Sequence, residues 1–121
     1  MPGQIMIVDD DPTMRAMLAQ CLEMRGHDVT ECAGLDDALA EIERAPPDVV
    51  LTDLRLIGAS GFELCVRARS LRPGLPVVIM SGFGHESDGT AATRAGAYAF
   101  VSKPFELAEL LLLLERAMDA G

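Results

Sequence analysis

Tryptophan is absent from this 121-residue chain, which has only one tyrosine and four phenylalanines. A folded core must therefore consist mainly of aliphatic side chains. Positive charge is also scarce: the formal net charge is −9, and Lys103 is the only lysine among ten basic residues. Because nucleic-acid binding needs clustered lysine and arginine to neutralise phosphates, we expect no direct nucleic-acid partner.

Long apolar runs and closely spaced cysteines are missing as well. Uninterrupted apolar stretches such as Leu110–Leu114 are far too short to cross a membrane, and the terminus MPGQIMIVDDD lacks the basic region of a signal peptide. The cysteines form no CxxC pair and no Cys/His cluster, so a zinc site is not expected. We therefore expect a cytoplasmic protein without membrane association, whose thiols are reduced and buried.

Apolar runs and helical stripes alternate along the chain five times. Half of the residues are apolar and 24% are charged, a balance typical of globular domains. The predicted strands are Gln4–Val8, His27–Cys32, Asp48–Thr52, Leu75–Met80 and Ala97–Val101. The predicted helices begin at Pro12, near Leu35, after Ser60, at His85 and at Phe105. This alternation predicts one α/β domain over residues 1–121, a doubly wound five-stranded parallel sheet with five helices. If the strand order is 2-1-3-4-5, the first and third strands are neighbours.

Several single residues carry local predictions. Asp11 precedes Pro12 and is expected to cap the first helix, and Ser60 is expected to cap the third. Met17 is interpreted as core packing, together with Met14 one turn earlier. His27, like His85, has no partner at metal-ligand spacing and is interpreted as a surface residue.

Polar residues follow the predicted strands where each strand ends. They are Asp9 and Asp10 after the first strand, Asp53 after the third, Ser81 after the fourth, and Ser102 and Lys103 after the fifth. In an open α/β sheet, ligands bind at this edge, near the point where the strand order reverses. Converging carboxylates favour a cation, and Mg²⁺ prefers their hard oxygens. The pattern predicts a phosphoryl site in which Asp53 is a carboxylate nucleophile.

Four segments together resemble the receiver domain of two-component response regulators, which has the CheY-like fold. They are IMIVDDD, VVLTDLRL followed by G..G.EL, PVVIMSG and AGAYAFVSKPF, and they appear in the family's order and spacing over nearly all of residues 3–118. The resemblance implies a phosphoacceptor, rather than an enzyme, that takes a phosphoryl group from a sensor histidine kinase or a histidine phosphotransfer protein. It also implies an output partner or an output domain beyond Gly121.

The resemblance implies a role for each matching residue. Asp53 is the phosphoacceptor; Asp9, Asp10, Asp53 and the backbone carbonyl of Arg55 hold Mg²⁺, with Asp10 as a direct ligand; Ser81 and Lys103 contact the phosphoryl group; Phe100 is the aromatic switch; and the Lys103–Pro104 bond is a candidate cis peptide. Two positions depart from the common pattern. Ile57 stands where proline is frequent, and the Arg55 side chain could touch the phosphoryl group or an attacking water, which leaves the lifetime of the phosphate open.

The last predicted helix has more leucines than one buried stripe needs. Leu112 points almost opposite the stripe and Leu113 lies at its flank. Surplus apolar side chains indicate a partner surface. In receivers the fourth helix, fifth strand and fifth helix often form the output or dimer face, so a homodimer through that face is expected.

Two other functions are compatible with the same residues. Residues 9–13 fit the DxDxT signature of haloacid-dehalogenase-type phosphatases, with Asp9 as nucleophile and Asp11 as acid. That interpretation needs a further acidic pair after Lys103 and leaves Asp53 unexplained. A degenerate receiver, which acts only as an interaction module, is the third possibility, although the phosphoacceptor and its neighbours are intact.

Overall fold

Strands and helices alternate from residue 4 to residue 120 in a computed structural model, which describes residues 3–82 and 86–120 and, for residues 86 and 87, the backbone only. The strands are β1 Gln4–Val8, β2 Asp28–Cys32, β3 Val49–Asp53, β4 Arg55–Leu56, β5 Ala59–Ser60, β6 Val77–Ser81 and β7 Ala99–Ser102. The helices are α1 Pro12–Met24, α2 Leu35–Arg44, α3 Gly61–Leu71, α4 Glu86–Arg94 and α5 Leu107–Ala120. The start predicted for the fourth helix, His85, lies outside the described residues.

Five strands form one parallel sheet in the order β2-β1-β3-β6-β7, which confirms the predicted topology. Residues at odd and even positions of β1 face opposite sides. Met6 and Val8 pack with α2, α3 and Ala92 of α4, whereas Ile5 and Ile7 pack with α1 and α5. Because helices cover both faces, the inner strands β1, β3 and β6 are almost entirely buried.

The predicted helix caps are confirmed. The Asp11 carboxylate accepts a hydrogen bond from the Thr13 N–H, and Pro12 follows it as the first helical residue. Ser60 Oγ accepts from the Glu63 N–H at 3.2 Å and caps α3. The predicted fourth strand began two residues too early, since Pro76 has no N–H to donate to a neighbouring strand.

The short hairpin of β4 and β5 was not predicted. Arg55 pairs with Ser60 and Leu56 with Ala59 in antiparallel register directly after β3. Gly58 completes the turn with φ of +72°, a conformation that a side chain disfavours. The segment shortly after Asp53 is therefore paired backbone.

Two of the residue-level expectations about burial were wrong. Met17 is 40% exposed, because it lies at the flank of the α1 stripe that contacts the sheet, while Met14 packs against the core as expected. His27, interpreted as a surface residue, is only 4% exposed. Cys32 and Cys65 are buried as expected, and Cys21 is half-buried.

His27 is buried because both of its ring nitrogens have partners. Its Nδ1 accepts a hydrogen bond from the Gly3 N–H at 3.1 Å, so Nε2 carries the proton and donates to Glu115 at 2.8 Å. The Arg25 guanidinium binds the same carboxylate through two nitrogens, at 2.7 and 3.0 Å. These contacts join the turn after α1, the residue before β1, and α5.

Glu115→Gln is expected to destabilise the protein at neutral pH but much less in acid. Hydrogen bonds from Arg25 and then from His27 lower the pKa of Glu115 from 4.5 to about 2. A carboxyl with a lowered folded-state pKa stabilises the fold above its ordinary pKa, and this contribution is lost as the pH falls towards 2. We expect a loss of about 1–2 kcal/mol in the free energy of unfolding at neutral pH. Urea unfolding at neutral pH and at about pH 3 measures both losses, and equal losses would contradict this explanation.

No helix within residues 3–82 and 86–120 has the length and apolar character needed to span a membrane.

Candidate functional site

The carboxyl ends of β1 and β3 bring three aspartates together. The two strands are neighbours in the sheet, and Val8 stands opposite Thr52 in the register. Asp9 and Asp10 therefore emerge beside Asp53, and one carboxylate oxygen from each residue lies within 4.8 Å of those of the other two. The sequence prediction that these side chains converge is confirmed.

Asp9 is buried and held through almost all of its polar atoms. Its N–H donates to the Cys32 carbonyl at 3.1 Å, and its Oδ1 accepts from the Asp11 N–H at 2.9 Å. Its Oδ2 is buried without a hydrogen-bond partner among the described residues. Burial raises the pKa of Asp9, and the nearby Asp53 charge raises it further.

These three carboxylates suit a divalent cation that prefers hard oxygen ligands. An unpaired buried carboxylate oxygen costs free energy unless a proton or a cation compensates it. The donor set of Asp9, Asp10 and Asp53 is composed only of carboxylate oxygens, which suits Mg²⁺. Asp9, Asp10 and Asp53 are called the acidic triad below.

Asp9→Asn is expected to stabilise the metal-free protein. Because the pKa of Asp9 is raised in the folded state, the charged carboxyl makes stability fall as the pH rises above its ordinary value of 3.8. The amide retains an acceptor for Asp11 and adds a donor beside two carboxylates. We expect the free energy of unfolding at neutral pH to rise by about 1 kcal/mol in chelator.

Urea unfolding with and without Mg²⁺ tests that prediction. Wild type should gain stability from Mg²⁺, by about 2.7 kcal/mol at roughly 100 times the dissociation constant, and Asp9→Asn should gain less. A variant that is less stable than wild type in chelator would contradict the proposed cost of the unpaired carboxylate.

Asp53 is more accessible to solvent than Asp9. Its side chain is 18% exposed, and Lys103 Nζ lies 4.0 Å from its Oδ1. Burial raises the pKa of Asp53, while Lys103 and the backbone N–H groups of Leu54 and Arg55 oppose that rise. A carboxylate that is both reachable from solvent and beside an ammonium is suited to react with a phosphoryl group.

The ends of β6 and β7 complete the same edge of the sheet. Ser81 is buried and stands opposite Ser102, and the Lys103 N–H donates to the Ser81 carbonyl at 2.7 Å. The Lys103–Pro104 peptide bond is cis. Phe100 lies two residues before the end of β7, half-buried against the side of the core that α2 and α3 cover. Ser81 and Lys103 therefore lie at the triad's edge of the sheet, while Phe100 lies farther back along its strand.

The remaining sequence-predicted residues lie in β4 and α5. Arg55 begins β4 one residue after the end of β3, with an exposed side chain. Leu112 is 47% exposed, whereas Leu113 is half-buried and packs against the core. The sequence-based view that both leucines are surplus therefore applies to Leu112 only.

Sequence reasoning missed two residues that support the acidic site. Arg15 Nη1 donates to the Asp9 carbonyl at 2.6 Å, and nothing in the pattern of α1 marks it out from other surface arginines. Gly61 packs against the end of β3: a Cβ there would lie 2.7 Å from the Asp53 carbonyl oxygen. A signal for the second did exist, since Gly61 is one of the glycines in the segment that follows Asp53.

Comparisons with known proteins agree with this geometry. A family profile described as "Response regulator receiver domain" matches residues 5–115. The nitrogen assimilation regulatory protein NtrX of Azorhizobium caulinodans is 36% identical over 98% of this chain and 27% of its own length. The transcriptional regulatory protein TcrA of Mycobacterium tuberculosis is 37% identical over 98% of this chain and 47% of its own length.

Solved structures show the same fold. A CheY-like response regulator receiver domain protein from Methanospirillum hungatei superposes with a TM-score of 0.92 at 31% identity, over 98% of this chain and 95% of that one. The chain thus spans nearly all of that receiver protein, but only about a quarter to a half of the two curated regulators.

Proposed function

Because the chain belongs to the family of response regulator receiver domains, we propose that it accepts a phosphoryl group on Asp53 and thereby controls an output region or partner. The observation that carries the proposal is the position of Asp53. Its partly exposed carboxylate lies beside Asp9 and Asp10 and 4.0 Å from the ammonium of Lys103. The donor would be a phosphohistidine on a sensor histidine kinase or a histidine phosphotransfer protein.

In the proposed transfer, an Asp53 carboxylate oxygen attacks the phosphorus of the donor. The new oxygen–phosphorus bond forms as the nitrogen–phosphorus bond of phosphohistidine breaks, and the electron pair returns to the imidazole nitrogen. Mg²⁺ held by Asp9, Asp10, Asp53 and the Arg55 carbonyl would offset the charge of the phosphoryl oxygens. Lys103 contributes a second positive charge, and such positioning and neutralisation supply most of the catalysis in phosphoryl transfer.

Two contacts favour Asp53 over the phosphatase alternative that uses Asp9 and Asp11. Asp9 is 1% exposed and its Oδ1 is already hydrogen-bonded to the Asp11 N–H, so a donor phosphorus has little access to it. The Asp11 carboxylate accepts N–H groups as the cap of α1, which is not the arrangement of a general acid.

We further propose that phosphorylation is transmitted through Ser81 and Phe100. The Ser81 hydroxyl would move towards the phosphoryl group, and the half-buried ring of Phe100 would turn inward behind it, which shifts a two-state equilibrium. The face made by α4, β7 and α5 would carry the change to its partner. TcrA is named as a transcriptional regulatory protein and NtrX as a nitrogen assimilation regulatory protein, and this chain matches under half of the length of each. This supports an output region with a regulatory role.

Leu112 is the residue on which we propose that self-association depends. Its side chain is 47% exposed on α5 and does not contribute to the buried core. Leu112→Glu should preserve the unfolding transition and abolish any dimer that sedimentation detects after phosphorylation. Leu113→Glu is unsuitable because Leu113 packs against the core. A phosphorylated Leu112→Glu variant that dimerises like wild type would contradict the proposed role of Leu112 in self-association.

Intact-mass spectrometry tests the phosphoacceptor proposal. Wild type is incubated with phosphoramidate and Mg²⁺ beside Asp53→Asn and a control, Asp119→Asn, whose aspartate is exposed near the end of α5. We expect the mass of one phosphoryl group on wild type and control, none on Asp53→Asn, and none in chelator. An adduct of equal yield on Asp53→Asn would overturn the proposal.

A further inference from the structure

Arg15 joins the acidic site to two other elements. It lies in α1, and its Nη1 donates a 2.6 Å hydrogen bond to the backbone carbonyl of Asp9. Its Nε donates at 3.2 Å to Glu31 in β2. The side chain is only 18% exposed, so the guanidinium is held on both sides rather than extended into solvent.

The carbonyl that Arg15 binds belongs to the peptide unit between Asp9 and Asp10. A planar peptide fixes the directions in which the two flanking residues leave it. Asp9 is additionally held by its N–H on the Cys32 carbonyl and by its Oδ1 on the Asp11 N–H. With the Arg15 contact, every polar atom of Asp9 except Oδ2 has a partner among the described residues.

A guanidinium bound to the Asp9 carbonyl has two opposing effects on the cation site. Its positive charge weakens the attraction of the site for Mg²⁺. Its hydrogen bond orders the peptide that aims two of the carboxylates, and partners of this kind orient metal ligands and strengthen binding. The charge effect is screened by the Glu31 carboxylate, which pairs with Arg15 at 3.2 Å.

We propose that Arg15 is a positioning residue of the divalent-cation site, and that it acts by holding the Asp9–Asp10 peptide. The inference rests on the proposed function, because it concerns the same acidic site. A purely structural role of Arg15 in α1 would leave the affinity for Mg²⁺ unchanged, whereas the positioning role means that the hydrogen bond to Asp9 raises that affinity. A pure charge effect would have the opposite sign, because removal of the positive charge would strengthen Mg²⁺ binding.

Calorimetric titration with Mg²⁺, without any phosphodonor, tests the proposal on four variants and wild type. Arg15→Ala should weaken Mg²⁺ binding by about tenfold or more, although it removes a positive charge. Arg15→Lys should recover part of that loss, because its ammonium also donates to the carbonyl. Glu31→Gln keeps the Asp9 contact and should stay within about twofold of wild type. Glu115→Gln, at the His27 cluster remote from Arg15, should lower stability without changing the affinity.

The results distinguish the positioning role of Arg15 from the existence of the Mg²⁺ site. If Arg15→Ala binds Mg²⁺ as tightly as wild type or more tightly, the positioning role is overturned while the site stands. If Glu31→Gln or Glu115→Gln loses as much affinity as Arg15→Ala, general loosening explains the effect and the role is again overturned. If Arg15→Ala does not fold, Arg15→Lys decides: an affinity for Mg²⁺ weaker than that of wild type supports the role, and an affinity equal to that of wild type overturns it. A wild-type protein that binds no Mg²⁺ would contradict both the site and the proposal.

Discussion

Lys103→Ala is expected to slow phosphorylation of Asp53 by about 10²- to 10³-fold, the loss seen when one preorganised charge-stabilising group is removed. Lys103 Nζ lies 4.0 Å from Asp53 Oδ1, and Lys103 is the only lysine of the chain. Its backbone is held by the Ser81 carbonyl, so the ammonium is presented from the end of β7 towards the acceptor. No other lysine can replace it.

Lys103→Arg should restore little of this rate. A guanidinium is planar and larger than an ammonium, so it cannot occupy the same compact position between Asp53 and a phosphoryl group. The rate of adduct formation with phosphoramidate at saturating Mg²⁺ measures both variants.

The measurement is made at about pH 8, where Asp53 stays ionised even when its pKa rises without Lys103. Arg44→Ala, which removes an exposed cation from α2, is the control and should react like wild type. A Lys103→Ala variant that reacts within about threefold of wild type would show that the ammonium does not act on the phosphoryl group.

Gly61→Val is expected to damage both stability and phosphorylation. A Cβ at this position would lie 2.7 Å from the Asp53 carbonyl oxygen and 3.1 Å from Leu54 Cα. The obstacles are backbone atoms, which cannot rotate away, and the Gly61 N–H also donates to the Leu54 carbonyl at 2.7 Å. We expect a loss of about 1–3 kcal/mol in the free energy of unfolding. Displacement of β3, which carries Asp53, should also lower the rate of adduct formation by about 10²-fold.

Gly74→Ala is the matched control for that variant. A Cβ at residue 74 would contact nothing within 4 Å, so stability and phosphorylation rate should both remain close to those of wild type. Urea unfolding and the intact-mass rate assay are measured on the same preparations. A Gly61→Val protein with the stability and phosphorylation rate of wild type would contradict the close approach of α3 to β3.

The parallel sheet and the acidic site could both be predicted from the sequence for one physical reason. A strand buried on both faces is recognisable as a short apolar run, and Gln4–Val8 is bounded by the carboxylates of Asp9 and Asp10. Parallel strands end at the same edge, so Asp53 at the end of the third predicted strand lies near them once that strand is the neighbour of the first.

Other features depend on contacts between residues far apart in the chain. Buried His27 depends on Gly3 and Glu115, the latter 88 positions away, and no local pattern records such a partner. The β4–β5 hairpin has two residues in each strand, too few for a period of two to be visible. The role of Arg15 depends on a hydrogen bond to the backbone carbonyl of Asp9. Every residue has such a carbonyl, so the sequence does not indicate this partner.

Locating the phosphoryl group on the chain tests whether Asp53 is the phosphoacceptor. After reaction with phosphoramidate and Mg²⁺, borohydride reduces an acyl phosphate to an alcohol, which marks the modified aspartate permanently for peptide sequencing by mass spectrometry. We expect a single mark at Asp53, the accessible carboxylate beside Lys103. A mark at Asp9 would contradict it and would support the phosphatase interpretation of residues 9–13.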